Sequence, residues 1–472
     1  MKADQYRTLY DLPALAGLCS MQRAVVAEWS LDESVRRLKR LHYVLKGLAH
    51  AFSVKICAEP IYELKTAFSY HAYLCAEQVE TIRRRVSEMR EPPLGLEKIP
   101  HAGLQLLLDE LKAAPSTLDF VTACYRHLVP ALMAAVARLK ADAHPLADAP
   151  TVRVAKLIEF ELQELAEFGD AAVTCLQEAV ESPVDEAWLQ CIEQCISSAG
   201  GIDGLGQDNP SLPGPVRSQD FKYDSQPKRD ERFRDPFNAG VNPEAFLYDD
   251  QFSPQDKTLM MYYKRIRELD VPEMMSSILV DLWHEEPWGF HYEMLRQMWD
   301  EARHAMMGEV GFVGIGLDWH QIPINFTWSR NLNEQMDARQ RHGVLFFIEQ
   351  GLMPRTGKRF EFEVGQASGD PLSALFQDFD WADEVLHAQI GRRWYVPRYQ
   401  TLDEALAYGD QCWSQVLSKW TEYQRLGLTE HRNWWPEIYR QACALWGKEP
   451  DPRAERYHTT YESCRADLQQ LP

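Results

Sequence analysis

Across residues 1–198 no stretch alternates polar and apolar residues for long, so the period-two signal of a β-strand is missing there. That excludes an all-β architecture. The apolar residues, 45% of the chain, are left to helices. The ten cysteines form no paired framework. Cys191 and Cys195 lie four apart, but no matching pair follows to complete a zinc site or a disulfide scaffold. All ten are expected to be thiols in a reducing compartment. No run approaches the roughly 18 apolar residues of a membrane helix. No basic start leads into an apolar stretch either. A cytoplasmic protein without a membrane partner is expected. Positive charge is outweighed, with a formal net charge of −20. Nucleic-acid backbones need basic patches, so they are not expected partners. Arg83-Arg84-Arg85 is a local exception and reads as a solvated helix face.

What is present is helix after helix. Residues 1–198 carry apolar positions at the helical period, as in Val35, Leu38, Leu41, Val44 and Leu48, behind a cap-like Ser30-Leu31-Asp32-Glu33. Residues 199–256 are punctuated by Gly and Pro and read as a linker. Aromatic residues there, among them Phe221, Phe233 and Phe246, imply that parts of it lie against a domain. Residues 257–397 return to helices, and 398–472 form a Trp-rich helical extension. A chain of 472 residues exceeds one ordinary domain.

One nine-residue pattern occurs twice. Asp300-Glu301-Ala302-Arg303-His304-Ala305-Met306-Met307-Gly308 returns 83 residues later as Asp383-Glu384-Val385-Leu386-His387-Ala388-Gln389-Ile390-Gly391. Both copies read D-E-x-x-H-A-x-x-G, and each lies in a helical stretch. Positions i and i+3 share a helix face, so Glu301 points with His304 and Glu384 with His387. The Glu301 face borders the apolar stripe of Phe290, Met294, Met298 and Ala305. A carboxylate there is costly unless a cation pairs with it. A metal ion held by carboxylate oxygens and neutral imidazole would meet that need.

With these motifs the sequence resembles the ferritin-like superfamily of di-iron or di-manganese carboxylate proteins. The resemblance is good over roughly residues 255–400. In that superfamily two helices of a four-helix bundle each give a Glu-x-x-His, and the other two each give one Glu. It implies an all-α fold: a ferritin-like bundle preceded by a second helical domain. That domain is either a metal-free ferritin-like relic or a plain packing domain, since no Glu-x-x-His occurs in it. The implied ligands are Glu268, Glu301, His304, Glu349, Glu384 and His387. Arg267-Glu268-Leu269 resembles the first-ligand segment, 33 residues before Glu301. Glu273 is the alternative ligand and Asp270 a third candidate. Pro272 suggests a break or kink in that helix. Glu349 closes the run Val344-Leu345-Phe346-Phe347-Ile348, with Glu334 and His342 as rivals. The stretch from Pro354 to Pro371 after it reads as a long loop. Asp300 and Asp383 are expected to accept the N–H of a ligating histidine from behind.

The function implied is a non-haem oxidase or oxygenase. Two iron ions are expected, with manganese or a mixed pair as the alternative, and dioxygen as co-substrate. A small-molecule substrate, an electron donor and self-association are the expected partners. Metal handling, peroxide scavenging and a non-catalytic scaffold are the competing readings. Gly308 and Gly391 each follow a histidine by four residues and serve either close helix packing or the approach of a substrate. Trp288, Trp381 and Tyr395 are read as core residues or pocket lining.

Overall fold

The computed structural model describes residues 2–179, 182–206, 211–417, 420–460 and 463, and among them every regular element is helical. The chain divides into two compact units, Met1–Phe52 with His71–Tyr223 and Ser53–Tyr70 with Asp224–Pro472.

The first unit holds α1 (Leu31–Ile56) as far as Phe52, α2 (Tyr62–Met89) from His71 on, α3 (Ala102–Lys112), α4 (Thr117–Asp142), α5 (Ala149–Ala179) and α6 (Glu186–Ser198); the end of α1 and the start of α2 belong to the second. The start of α1 follows from Ser30, whose hydroxyl accepts the Glu33 N–H at 3.2 Å. Its stripe of Val35, Leu38, Leu41, Val44 and Leu48 is buried. Contrary to expectation, α4 is long and apolar enough by length and composition to cross a membrane, and 61% of its apolar window is buried inside the protein. His71 packs among Phe52, Tyr125 and Phe168, with Nδ1 2.6 Å from the Tyr125 hydroxyl.

The second unit contains α7 (Pro254–Arg267), α8 (Asp270–Asp281), α9 (Trp288–Ile315), α10 (Thr327–Gln335), α11 (Ala338–Gly351), α12 (Lys358–Ser368), α13 (Pro371–Trp394), α14 (Leu402–Leu417) and α15 (Trp435–Trp446). Helix α9 packs on α7, α8 and α13; α11 packs on α8 and α13. A closed ring of helices results, with α7 and α8 acting as one interrupted helix.

The interruption has a local cause. Pro272 has no N–H for the Glu268 carbonyl, and its ring would crowd that group. The chain tightens instead, and Val271 N–H bonds the Glu268 carbonyl at 3.0 Å. Pro272 itself sits in the first turn of α8, where no donor is required.

Residues 224–256, read as linker, supply core. Phe233, Val241, Phe246, Leu247 and Phe252 join one cluster with Trp434, Trp435 and Tyr439 from the Trp-rich extension. The presumed loop from Pro354 to Pro371 contains α12. Its Phe360, Phe362 and Val364 are two apart, a spacing that hides the helical period.

Candidate metal centre

The ring of helices brings both repeated motifs to one buried place. Glu268, His304, Asp380 and Glu384 each present a donor atom, all within 4.8 Å of one another; Glu301, Glu349 and His387 do the same. Glu268 caps the C-terminus of α7. Glu301 and His304 come from α9, Glu349 from α11, and Asp380, Glu384 and His387 from α13.

Each histidine turns Nδ1 inward. His304 Nδ1 lies 3.3 Å from Glu268, 3.5 Å from Asp380 and 3.7 Å from Glu301. His387 Nδ1 lies 3.1 Å from Glu301 and 3.4 Å from Glu384. Glu301 therefore faces both histidines. The outer nitrogens meet the motif aspartates: His304 Nε2 is 3.2 Å from Asp383 Oδ2, and His387 Nε2 is 3.4 Å from Asp300 Oδ2. An ionised carboxylate only accepts, so Nε2 carries the proton in both pairs. That leaves Nδ1 as the metal-facing atom. Arg303 ties the two aspartates together, at 2.5 Å from Asp300 and 2.6 Å from Asp383.

Whether these residues suit a metal can be read from the polar atoms they leave over. Glu268 Oε2, Glu301 Oε1, His304 Nδ1, Glu349 Oε2, Glu384 Oε2 and His387 Nδ1 are all buried and make no hydrogen bond of acceptable geometry. Buried polar atoms in that condition are rare and costly. Here one occurs on each of six side chains that face one another, and carboxylate oxygen with imidazole nitrogen suits iron or manganese. The residues fit such a pair.

Without a metal, protons must stabilise the cluster. Burial alone would depress both histidines. The nearby carboxylates of Asp383, Glu268 and Glu301 instead raise His304 to about 10, and those of Asp300, Glu301 and Glu384 hold His387 well above its ordinary value. Burial pushes Glu349 well up, helped by the neighbouring Glu384 and Glu301 carboxylates. Burial opposes ionisation of Glu268 too, but Arg265 and Lys358 outweigh it and hold that carboxyl down at about 2. Metal uptake therefore releases protons.

The alternative and rival ligands lie elsewhere. Glu273 belongs to neither group. Beyond the break at Pro272 it points away, to Lys65, to Arg229 at 2.7 and 2.9 Å, and to the Ser329 hydroxyl at 2.9 Å. Asp270 accepts the Ser329 N–H at 3.2 Å. Glu334 pairs with Arg330 at 3.1 Å, and His342 is packed against the rings of Phe290 and Tyr395. Gly308 and Gly391 serve packing. A Cβ on Gly308 would stand 2.2 Å from the Ile266 backbone nitrogen, and one on Gly391 would stand 2.2 Å from the Phe346 ring.

Sequence reasoning passed over Asp380, Arg265 and Lys358. Asp380 had a legible signal, because it precedes Glu384 by one helical turn. Lys358 had none, since it arrives on the unforeseen α12. Trp413, assigned no chemistry, lines a cavity of about 280 Å³ that also touches Glu268, Glu301, Glu349 and Glu384.

Compared with known proteins, the chain matches no family model, no curated protein and no solved structure.

Proposed function

We propose that this protein is a ferritin-like, non-haem di-iron oxidase or oxygenase acting on a small molecule. The observation that carries the reading is the set of six buried, unsatisfied donor atoms on Glu268, Glu301, His304, Glu349, Glu384 and His387. Two iron ions held there would supply the electrons and Lewis acidity for dioxygen chemistry. Glu301 faces both histidines and would help hold the ions. Asp300 and Asp383 hold the rings in the ligating tautomer.

The cavity beside the carboxylates is the substrate site in this reading. Its wall includes Val271, Met274, Leu332, Ile348, Leu352 and Trp413, so it favours a substrate with an apolar body. Lys264 and Arg267 line the same cavity and give a polar end something to meet. Electrons beyond those of the metals come from a separate donor.

The test is metal content, then anaerobic ferrous loading and exposure to oxygen under a spectrometer. About two irons per chain are expected, with a transient oxygen-dependent absorption. Both should vanish in Glu301→Ala and His387→Ala. A wild-type protein that binds no iron, or iron that ignores both substitutions, would make the repeated motif structural.

A further inference from the structure

The two donor groups are unequally supplied with fixed positive charge. Asp380 is fully buried. Arg265 bonds one of its oxygens, and Lys358 Nζ reaches both, at 2.9 and 2.8 Å. Lys358 also lies 2.9 Å from Glu384, and Arg265 lies 2.9 Å from Glu268. Every carboxylate of the first group therefore already has a buried cation. Neither cation can retreat to water, because both side chains are 0% exposed. Lys358 is further fixed by its backbone N–H, which bonds the Leu352 carbonyl at 3.1 Å. At the neighbouring Gly357 a Cβ would stand 2.1 Å from that same carbonyl oxygen, so the turn that delivers Lys358 needs glycine.

The second group differs. Among the described residues, no Lys or Arg pairs with Glu301 or Glu349. Glu349 receives the Gln297 amide, at 3.1 Å, and meets the Glu384 carboxyl, while Glu301 faces imidazole. A divalent ion entering there meets carboxylates that no fixed cation offsets. An ion entering the first group meets Asp380 oxygens already in use and sits close to two like charges in a place of low polarisability.

We propose, on the dimetal reading above, that the two metal positions are inequivalent. The position at Glu301, Glu349 and His387 fills first. The one at Glu268, His304, Asp380 and Glu384 fills second and more weakly, because Lys358 and Arg265 hold its carboxylates. Lys358 is a positioning residue that sets this order.

The experiment is an anaerobic titration of the metal-free, full-length protein with ferrous ion, counted by equilibrium dialysis. Wild type should bind one ion at least about tenfold more tightly than a second, a gap of roughly 1.4 kcal/mol. Lys358→Met should tighten the second step and close most of the gap, whereas Lys358→Arg, which keeps the charge, should preserve it. Glu349→Gln should remove the tight step and Glu268→Gln the weak one. The assignment by these two variants stands even where Lys358→Met does not fold. Equal affinities in wild type, loss of the weak step in Glu349→Gln, or an unchanged gap in folded Lys358→Met would overturn the inequivalence and leave the dimetal reading standing. Failure of wild type to bind any ion would overturn both.

Discussion

Asp383, from the second motif, accepts the Nε2 proton of His304, from the first, at 3.2 Å. The converse pair, Asp300 with His387, closes at 3.4 Å. Each copy of the motif thus supplies a histidine of its own helix and the outer support of the other copy's histidine. The two helices depend on each other for their chemistry as well as their packing.

Removing one support should weaken metal binding without unfolding the chain. Asp383→Ala is expected to cost 10- to 100-fold in affinity, because His304 loses its fixed tautomer. Arg296 and Arg303, which also face Asp383, have side chains 38% and 26% exposed and can turn to water. Ferrous dialysis beside a thermal melt separates the two effects. Unchanged affinity would show that the pair is merely structural.

Pro272 should control the metal site from outside it. In Pro272→Ala an N–H is restored opposite the Glu268 carbonyl, and α7 can run on into α8 with regular bonds. Stability should be unchanged or higher, while Glu268 rotates away and the ion count per chain falls. Circular dichroism together with iron analysis decides it. Full metal loading in this variant would mean that the break does not place Glu268.

Glu273 and Glu268 should fail in opposite ways. Glu273→Ala leaves Lys65 and Arg229, 0% and 2% exposed, without their carboxylate. A loss of about 3–5 kcal/mol is expected for a buried pair broken on one side. The folded fraction should still bind metal. Glu268→Ala should bind less metal at a smaller cost in stability, because Arg265 keeps Asp380 and Glu361. Denaturant unfolding and dialysis on the same samples would show whether the two roles are separate.

Acid should destabilise the protein early. Burial holds His42, His71 and His342 down at about 3. Their folded values lie below the unfolded value near 6.5, so the unfolded chain binds more protons and stability rises with pH. The contribution is complete above about pH 6.5 and is lost as pH falls from there toward 3. Each histidine loses about 1.4 kcal/mol per pH unit, and the three together about 4. Unfolding free energy measured between pH 7 and 5 tests this. A flat profile across that range would contradict it.

Local periodicity made the helices legible. The stripe from Val35 to Leu48 and the pairing of Glu with His one turn later depend only on the 3.6-residue repeat. All-helical character and the pairs Glu301–His304 and Glu384–His387 follow from residues that are neighbours in sequence. Asp380 was within reach of the same rule.

What no local rule could decide is which distant groups meet. Whether Glu268 or Glu273 faces the centre turned on how the chain relaxes around Pro272. Nor could a local rule pair each aspartate with the histidine of the other copy, since that depends on how α9 and α13 pack. The buried cations came from a stretch whose apolar residues hide the helical period, and the core contributions of Phe233 and Phe246 came from one rich in Gly and Pro. By itself the sequence determined helices and the residue types able to bind a metal, because both are short-range properties. Tertiary structure decided their partners, their charge balance and the cavity beside them, because burial and Coulomb energy depend on groups brought together from far along the chain.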